Sequence, residues 1–144
     1  MTVTLDAHVL LYASDETSPF HERALEFLAE LADGPQLVYL FWPTVMAYVR
    51  LATHPSVFAE PLAPDVAIAN VERLLALPHV QTTGERERFW QLFRVVADDA
   101  EPRGNLVPDA HLAALMMQNG VRTIWTRDRD FRRFRGIDAR DPFA

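Results

Sequence analysis

The chain has 144 residues, 49% of them apolar, a formal charge of −6 and no cysteine. That length and apolar content suit one domain spanning residues 1–144 with its own core, and the acidic balance excludes a general nucleic-acid coat protein without excluding a local site. Disulfides, thiolate metal sites and cysteine nucleophiles are excluded; because all 14 basic residues are arginine, so are Schiff-base, P-loop and lysine-assisted phosphoaspartate chemistry.

At the N-terminus, MTVTLD lacks the positive segment and apolar stretch of a secretory signal. No uncharged apolar run approaches the roughly 18 residues a membrane span needs, so a cytoplasmic protein with no membrane partner is expected. VTLDAHVLLYA opens with β-branched residues and reads as a buried strand ending near Asp6. SPFHERALEFLAELADG predicts a helix with Ser18 as N-cap, Pro19 in the first turn and Gly34 as the stop. QLVYLFW predicts a second buried strand. PTVMAYVRLATHP predicts a helix bracketed by Pro43 and Pro55.

APDVAIANVERLLALP predicts a third helix, with a short strand at HVQTT after it. ERERFWQLFRVVADDA is amphipathic, with Phe89, Leu92, Phe93 and Val96 on one face. PDAHLAALMMQNG is again helical, from Pro108 in the first turn to Gly120 at the end. VRTIWT reads as a strand, DFRRF as a helical turn, and GIDARDPFA as an edge strand and tail. Strands alternating with helices predict an α/β fold with a mostly parallel sheet covered on both faces.

In open parallel sheets, sites form at the carboxyl ends of the strands. Asp6 ends the first strand, Asp128 and Asp130 follow VRTIWT, and Asp109 lies in the first turn of the helix after NLVP. Each also has a plain structural reading. Asp109 complements the helix macrodipole, and Asp130 before FRRF reads as an N-cap. Asp6, among apolar residues, is costly to bury without a partner.

Converging carboxylates repel one another, and a hydrated Mg²⁺ or Mn²⁺ is the usual remedy, activating water for attack on a phosphodiester. Arg127, Arg129, Arg132, Arg133 and Arg135 crowd the same stretch and suit phosphate contacts. His8 reads as a hydrogen-bonding neighbour of Asp6 rather than a ligand. His111 does not share a helix face with Asp109.

LDAHVLLYA, YVRLATHP, NLVPDAHLAALMMQNGV and TRDRDFRRF, in that order, resemble the PIN-domain ribonucleases, and more narrowly the VapC-type toxins of toxin–antitoxin pairs. The likeness runs from Val3 to Phe134. It implies a PIN-like three-layer α/β/α sandwich and Mg²⁺- or Mn²⁺-dependent endonucleolytic cleavage of RNA. It also implies a small VapB-type antitoxin as partner, and commonly a homodimer.

Carried over by residue, Asp6, Asp109 and Asp128 match the catalytic, metal-binding acids. Asp130 matches a supporting acid; His8 and Thr126 stand beside the set, and Arg127, Arg129, Arg132 and Arg133 beside the RNA. Two positions depart from the pattern. Ala47 stands where many relatives carry a glutamate, and position 8, often asparagine, is His8. The first departure motivates a rival reading, an RNA- or antitoxin-binding module with weak or no nuclease activity. In the nuclease reading, Asp128 faces the metal while Asp130 caps the next turn.

Overall fold

The computed structural model describes residues 1–144. Five strands, β1 (Thr2–Leu5), β2 (Leu37–Phe41), β3 (Val80–Thr83), β4 (Thr123–Trp125) and β5 (Asp138–Arg140), form one sheet in the order β3-β2-β1-β4-β5. Every pairing is parallel. From β1 the chain winds outward through β2 and β3, then returns to lay β4 and β5 on the other side. The winding direction therefore reverses between β1 and β4, which makes their carboxyl ends the crevice where such sheets hold ligands.

Strand alternation divides the core. Val3, Leu5, Val38 and Leu40 face a layer of four helices: α1 (Ala7–Ser14), α2 (His21–Asp33), α3 (Trp42–Ala52) and α4 (Pro64–Leu75). Tyr39, Phe41 and Ile124 face α5 (Phe89–Ala100), α6 (Leu106–Gln118) and the 3₁₀ turn Arg129–Arg133. The result is the expected three-layer arrangement, with a wholly parallel sheet. No helix is long and apolar enough to cross a membrane.

Four boundaries differ from the sequence expectation, each for a local reason. AHVLLYA, read with the first strand, is helix α1, whose Ala7, Val9, Leu10 and Leu11 are buried. A short apolar run carries no period by which helix and strand can be told apart. Helix α2 starts at His21, because the Ser18 hydroxyl accepts from the Phe20 N–H at 3.1 Å and closes a turn ahead of the helix. It stops at Gly34 as expected, though with φ −82°. A Cβ there would lie 3.0 Å from the Glu30 carbonyl oxygen, so close approach explains the glycine.

Helix α5 starts at Phe89 rather than within ERER, since Arg88 takes a left-handed φ of 70°. Helix α6 starts two residues before Pro108, at Leu106. Its central residues Leu112 to Met116 are all buried, so it forms the spine of the second layer.

Phe131, 1% exposed, plugs the 3₁₀ turn into this layer and thereby fixes the backbone on which Asp128 and Asp130 stand. Phe131→Ala is expected to lower unfolding free energy by about 3–5 kcal/mol, the usual cost of emptying a buried phenylalanine site. Urea denaturation checks it, and an unchanged midpoint would show that the turn is not anchored by this ring.

Candidate metal-binding acidic site

Asp6 is the single residue between β1 and α1. Its N–H continues the sheet by donating to the Trp125 carbonyl at 3.0 Å. Its Oδ1 accepts from the His8 N–H at 3.2 Å, so the carboxylate is also the N-cap of α1. The His8 ring adds a contact from Nδ1 to the same oxygen at 3.3 Å. The other oxygen, Oδ2, accepts from the Thr126 hydroxyl at 2.8 Å.

Thr126, 3% exposed at the end of β4, works in both directions. Its Oγ1 accepts from the Asp128 N–H at 2.9 Å while donating to Asp6. One hydroxyl thus ties the carboxyl end of β1 to that of β4. Asp128 in turn accepts from the Asp130 N–H at 2.9 Å and caps the 3₁₀ turn. The capping role expected of Asp130 belongs to Asp128, because the turn begins at Arg129, two residues earlier than a cap at Asp130 requires. Asp130 instead lies in the first turn with its carboxylate in the open.

Helix α6 delivers Asp109 from its first turn. One carboxylate oxygen each from Asp109, Asp128 and Asp130 lie within 4.8 Å of one another, close enough to share a single cation. Asp6 stands outside that trio but near enough to act on it electrostatically.

These charges separate the acids by protonation. Asp109 is pushed up to about 7, first by burial, then by the repulsion of Asp128, Asp6 and Asp130, with His8 working against it. Burial is also the largest single influence on Asp6 and acts to raise it. Hydrogen bonds from His8 and Thr126, with the attraction of His8, together outweigh burial and hold Asp6 below its ordinary value. His8 is raised above 6.5, chiefly by its bond to Asp6, against a downward pull from burial, with Asp6, Asp128 and Asp109 adding to the rise. A crowded trio in which one acid keeps its proton is the state a divalent cation relieves. The donors are all hard oxygens, suited to such an ion.

The remaining sequence-singled residues divide. Arg129, Arg132 and Arg133 are exposed around the 3₁₀ turn. Arg127 is engaged elsewhere. Its guanidinium lies 4.0 Å over the Phe20 ring and 3.8 Å from Asp141, clamping the C-terminal tail. Arg135 meets Asp99 at 3.5 Å.

Ala47 is part-buried in the middle of α3 and offers no carboxylate. The neighbouring Tyr48 is buried, its hydroxyl bonded to Ser14 at 2.7 Å and Asn70 at 3.0 Å, so it takes no part in the acidic site. His111 turns from Asp109 to Glu85, its Nε2 meeting the Glu85 carboxylate. Sequence reasoning overlooked Glu85. Its place just after β3 was the available signal, since Asp6 and Asp128 follow β1 and β4 in the same way.

Residues 3–137 match the PIN domain family. The chain is 51% identical over 144 residues to Ribonuclease VapC48 of Mycobacterium tuberculosis, covering 100% of this chain and 99% of that protein. Among solved structures it resembles VapBC2 from Rickettsia felis bound to a promoter DNA fragment, with TM-score 0.71, 12% identity and 98% of each chain covered. It also resembles VapC20 of Mycobacterium tuberculosis, a sarcin-ricin loop cleaving toxin, with TM-score 0.65, 16% identity and coverage of 90% and 92%.

Since the Asp109 carboxyl is raised from 3.8 to about 7, ionisation favours the unfolded chain. Its contribution to stability is fully present below about pH 4 and is lost as pH rises through 7. In metal-free protein at pH 8, Asp109→Asn is expected to melt above the parent, and the two should converge near pH 4. After discounting for solvent screening of a half-exposed carboxylate, the gap corresponds to about 1 kcal/mol, or roughly 4 °C for a chain of this size. Thermal melts in chelator across this range check it; parallel curves at every pH would mean that the acids do not strain one another.

Proposed function

The chain belongs to the PIN domain family, and from that premise we propose that it is a metal-dependent endoribonuclease serving as the toxin of a toxin–antitoxin pair. The observation that carries this reading is the meeting of Asp109, Asp128 and Asp130, with Asp6 beside them, at the switch point of the sheet. The name of the 51% identical relative, a ribonuclease, supports the substrate class. The complex character of the Rickettsia felis VapBC2 structure supports a small antitoxin as partner. A homodimer and a cytoplasmic location complete the proposal, the latter because RNA and a co-produced antitoxin meet there.

The trio Asp109, Asp128 and Asp130 would hold Mg²⁺ or Mn²⁺ directly, with Asp6 facing them from β1. When bound, such an ion supplies activation of water and neutralisation of charge at the phosphodiester. The chain's own residues prepare the site for that substrate. Asp6, held below its ordinary value by Thr126 and His8, keeps its negative charge across the working pH range. Asp109 gives up its proton at about 7 and so tunes the charge of the site near neutrality. His8, 61% exposed, stands at the rim where a phosphate approaches, and its acidic neighbours favour its charged form. Arg129, Arg132 and Arg133 extend that rim along the 3₁₀ turn and can pair with phosphates bidentately.

Cleavage of total cellular RNA by purified protein in Mg²⁺ or Mn²⁺ is the direct test. Discrete products are expected from the parent, with Asp109→Asn slower by at least about 100-fold and Asp6→Asn by about 10- to 100-fold, the loss typical of residues that support a metal ligand. Cutting that persists in both variants would assign the activity to something other than this site.

Ala47 favours a second reading, a PIN domain that grips RNA or antitoxin without cutting. Ala47→Glu separates the two. In an active enzyme the substitution changes the rate within about an order of magnitude, since an outer carboxylate tunes rather than creates the site. In an inert parent it would be expected to switch cleavage on, and that outcome would decide for the binding module.

A further inference from the structure

The carboxylates occupy one side of the switch point, and the other side of the same sheet edge is aromatic. Trp42 opens α3 directly after β2 and is 42% exposed. Gly84 follows β3, and a Cβ there would meet Trp42 Cδ1 at 3.2 Å, so the loop leans on this indole. Helix α5 then presents Phe89, Trp90 and Phe93. Trp90, 63% exposed, stacks on Phe93 at 5.5 Å and 26°. Phe93 stacks on Phe89 at 6.3 Å and 27°, and Phe89 sets its edge against His111 at 5.3 Å. His111 lies two residues from Asp109 on α6. A continuous file of rings therefore runs from the helix that carries Asp109 out to an open indole.

The loop supporting this file is pinned. The Arg86 N–H donates to the Gln118 side chain at 3.0 Å, its guanidinium donates to the Gln118 carbonyl at 3.0 Å, and the Gln118 amide donates to the Glu87 carbonyl at 2.9 Å. Glu85 is held by the His111 ring. Arg88 keeps its left-handed backbone, a conformation of the kind that persists where surrounding structure holds it. The rings thus sit on a rigid base beside the site.

We propose that Trp90, backed by Phe93 and Phe89, is a stacking platform for unpaired bases of the RNA strand that is cut at the carboxylates; this rests on the nuclease reading above. Every base offers a π-face, so the platform binds single strands with little regard to sequence. The surroundings favour RNA over a second copy of the chain. Arg88, next to Glu87, stands two residues before Trp90 and Arg94 four after it, all exposed, with Arg94 meeting Asp98 only at 3.9 Å. Charges are depleted at the centre of protein interfaces but suit a phosphate backbone running past stacked bases. The rings share the carboxyl edge of the sheet with the acids, and Arg129, Arg132 and Arg133 lie beyond β4 on the far side. A strand crossing the acids can meet arginines at one end and rings at the other.

The probe is a ten-nucleotide 2′-O-methyl RNA, which binds without being cut, offered single-stranded and as a duplex to the parent, Trp90→Leu and Trp90→Phe. Trp90→Leu is expected to weaken single-strand binding roughly 5- to 150-fold, the worth of one stacked base, and to leave duplex binding unchanged. Trp90→Phe should stay within about threefold of the parent, because it keeps a π-face. In cleavage assays the Trp90→Leu loss should appear in KM and not in kcat.

Equal binding by Trp90→Leu and the parent overturns the proposal. So does a dimer-to-monomer change in Trp90→Leu on sedimentation with affinity per chain unaltered, which would make this face an interface between copies. The parent reading fails separately, when the parent protein neither binds nor cuts RNA, and the platform then fails with it. Asp6-dependent cleavage with an unmoved KM in Trp90→Leu overturns the platform alone.

Discussion

The site depends on one hydroxyl. Thr126 bonds to both flanks of the switch point, donating to Asp6 at 2.8 Å and accepting from the Asp128 N–H at 2.9 Å. Without it, the two acidic segments would be joined at this point only by the backbone bond from Asp6 to Trp125, and their side chains could turn apart under their own repulsion. The hydroxyl offsets part of that repulsion by satisfying Asp6 and fixes where the chain turns after β4. A methyl group in its place would fit the same volume and lose both bonds, leaving a part-buried carboxylate short of a donor, which is among the costlier defects in a folded protein.

The same tether gives the acids different characters. Asp6 is surrounded by donors: the α1 backbone, His8 and Thr126. Asp109 meets no donor strong enough to offset its burial and faces the other carboxylates, so it holds a proton up to about 7. Groups whose environments push their titrations apart are a mark of functional sites. The geometry here supplies the mechanism: hydrogen-bonded caps hold Asp6 and Asp128 in place, while the helix α6 backbone drives Asp109 against them whether or not the charge is welcome.

The architecture was legible because periodicity and punctuation agreed. Alternating strands and helices, Pro43 and Pro108 near helix starts, and an apolar face through Phe89, Phe93 and Val96 all mark real elements. Placing sites at strand carboxyl ends then points to Asp6 and Asp128, and the pairing of β1 with β4 makes them neighbours. The boundaries that failed are those where a side chain rather than a pattern decides. AHVLLYA is helical because the Asp6 side chain caps it, and apolar periodicity over so few residues is silent on that. The cap passes from Asp130 to Asp128, which still faces the trio, because the 3₁₀ turn begins two residues earlier than a cap at Asp130 requires. Arg127 read as a phosphate contact by its position among arginines; only the fold brings Phe20 and Asp141 under its guanidinium.

That shift bears on the empty acidic position in α3. Capping the turn takes only Oδ1 of Asp128, so a residue in that role still reaches the trio. Asp130 completes the trio. Ala47 therefore does not leave the site with two close carboxylates; a third arrives from the 3₁₀ turn. A trio of carboxylate donors with one member titrating at about 7 suits an ion that keeps several waters as ligands. The burden of holding that third acid then falls on Phe131, the buried ring between Asp130 and the core.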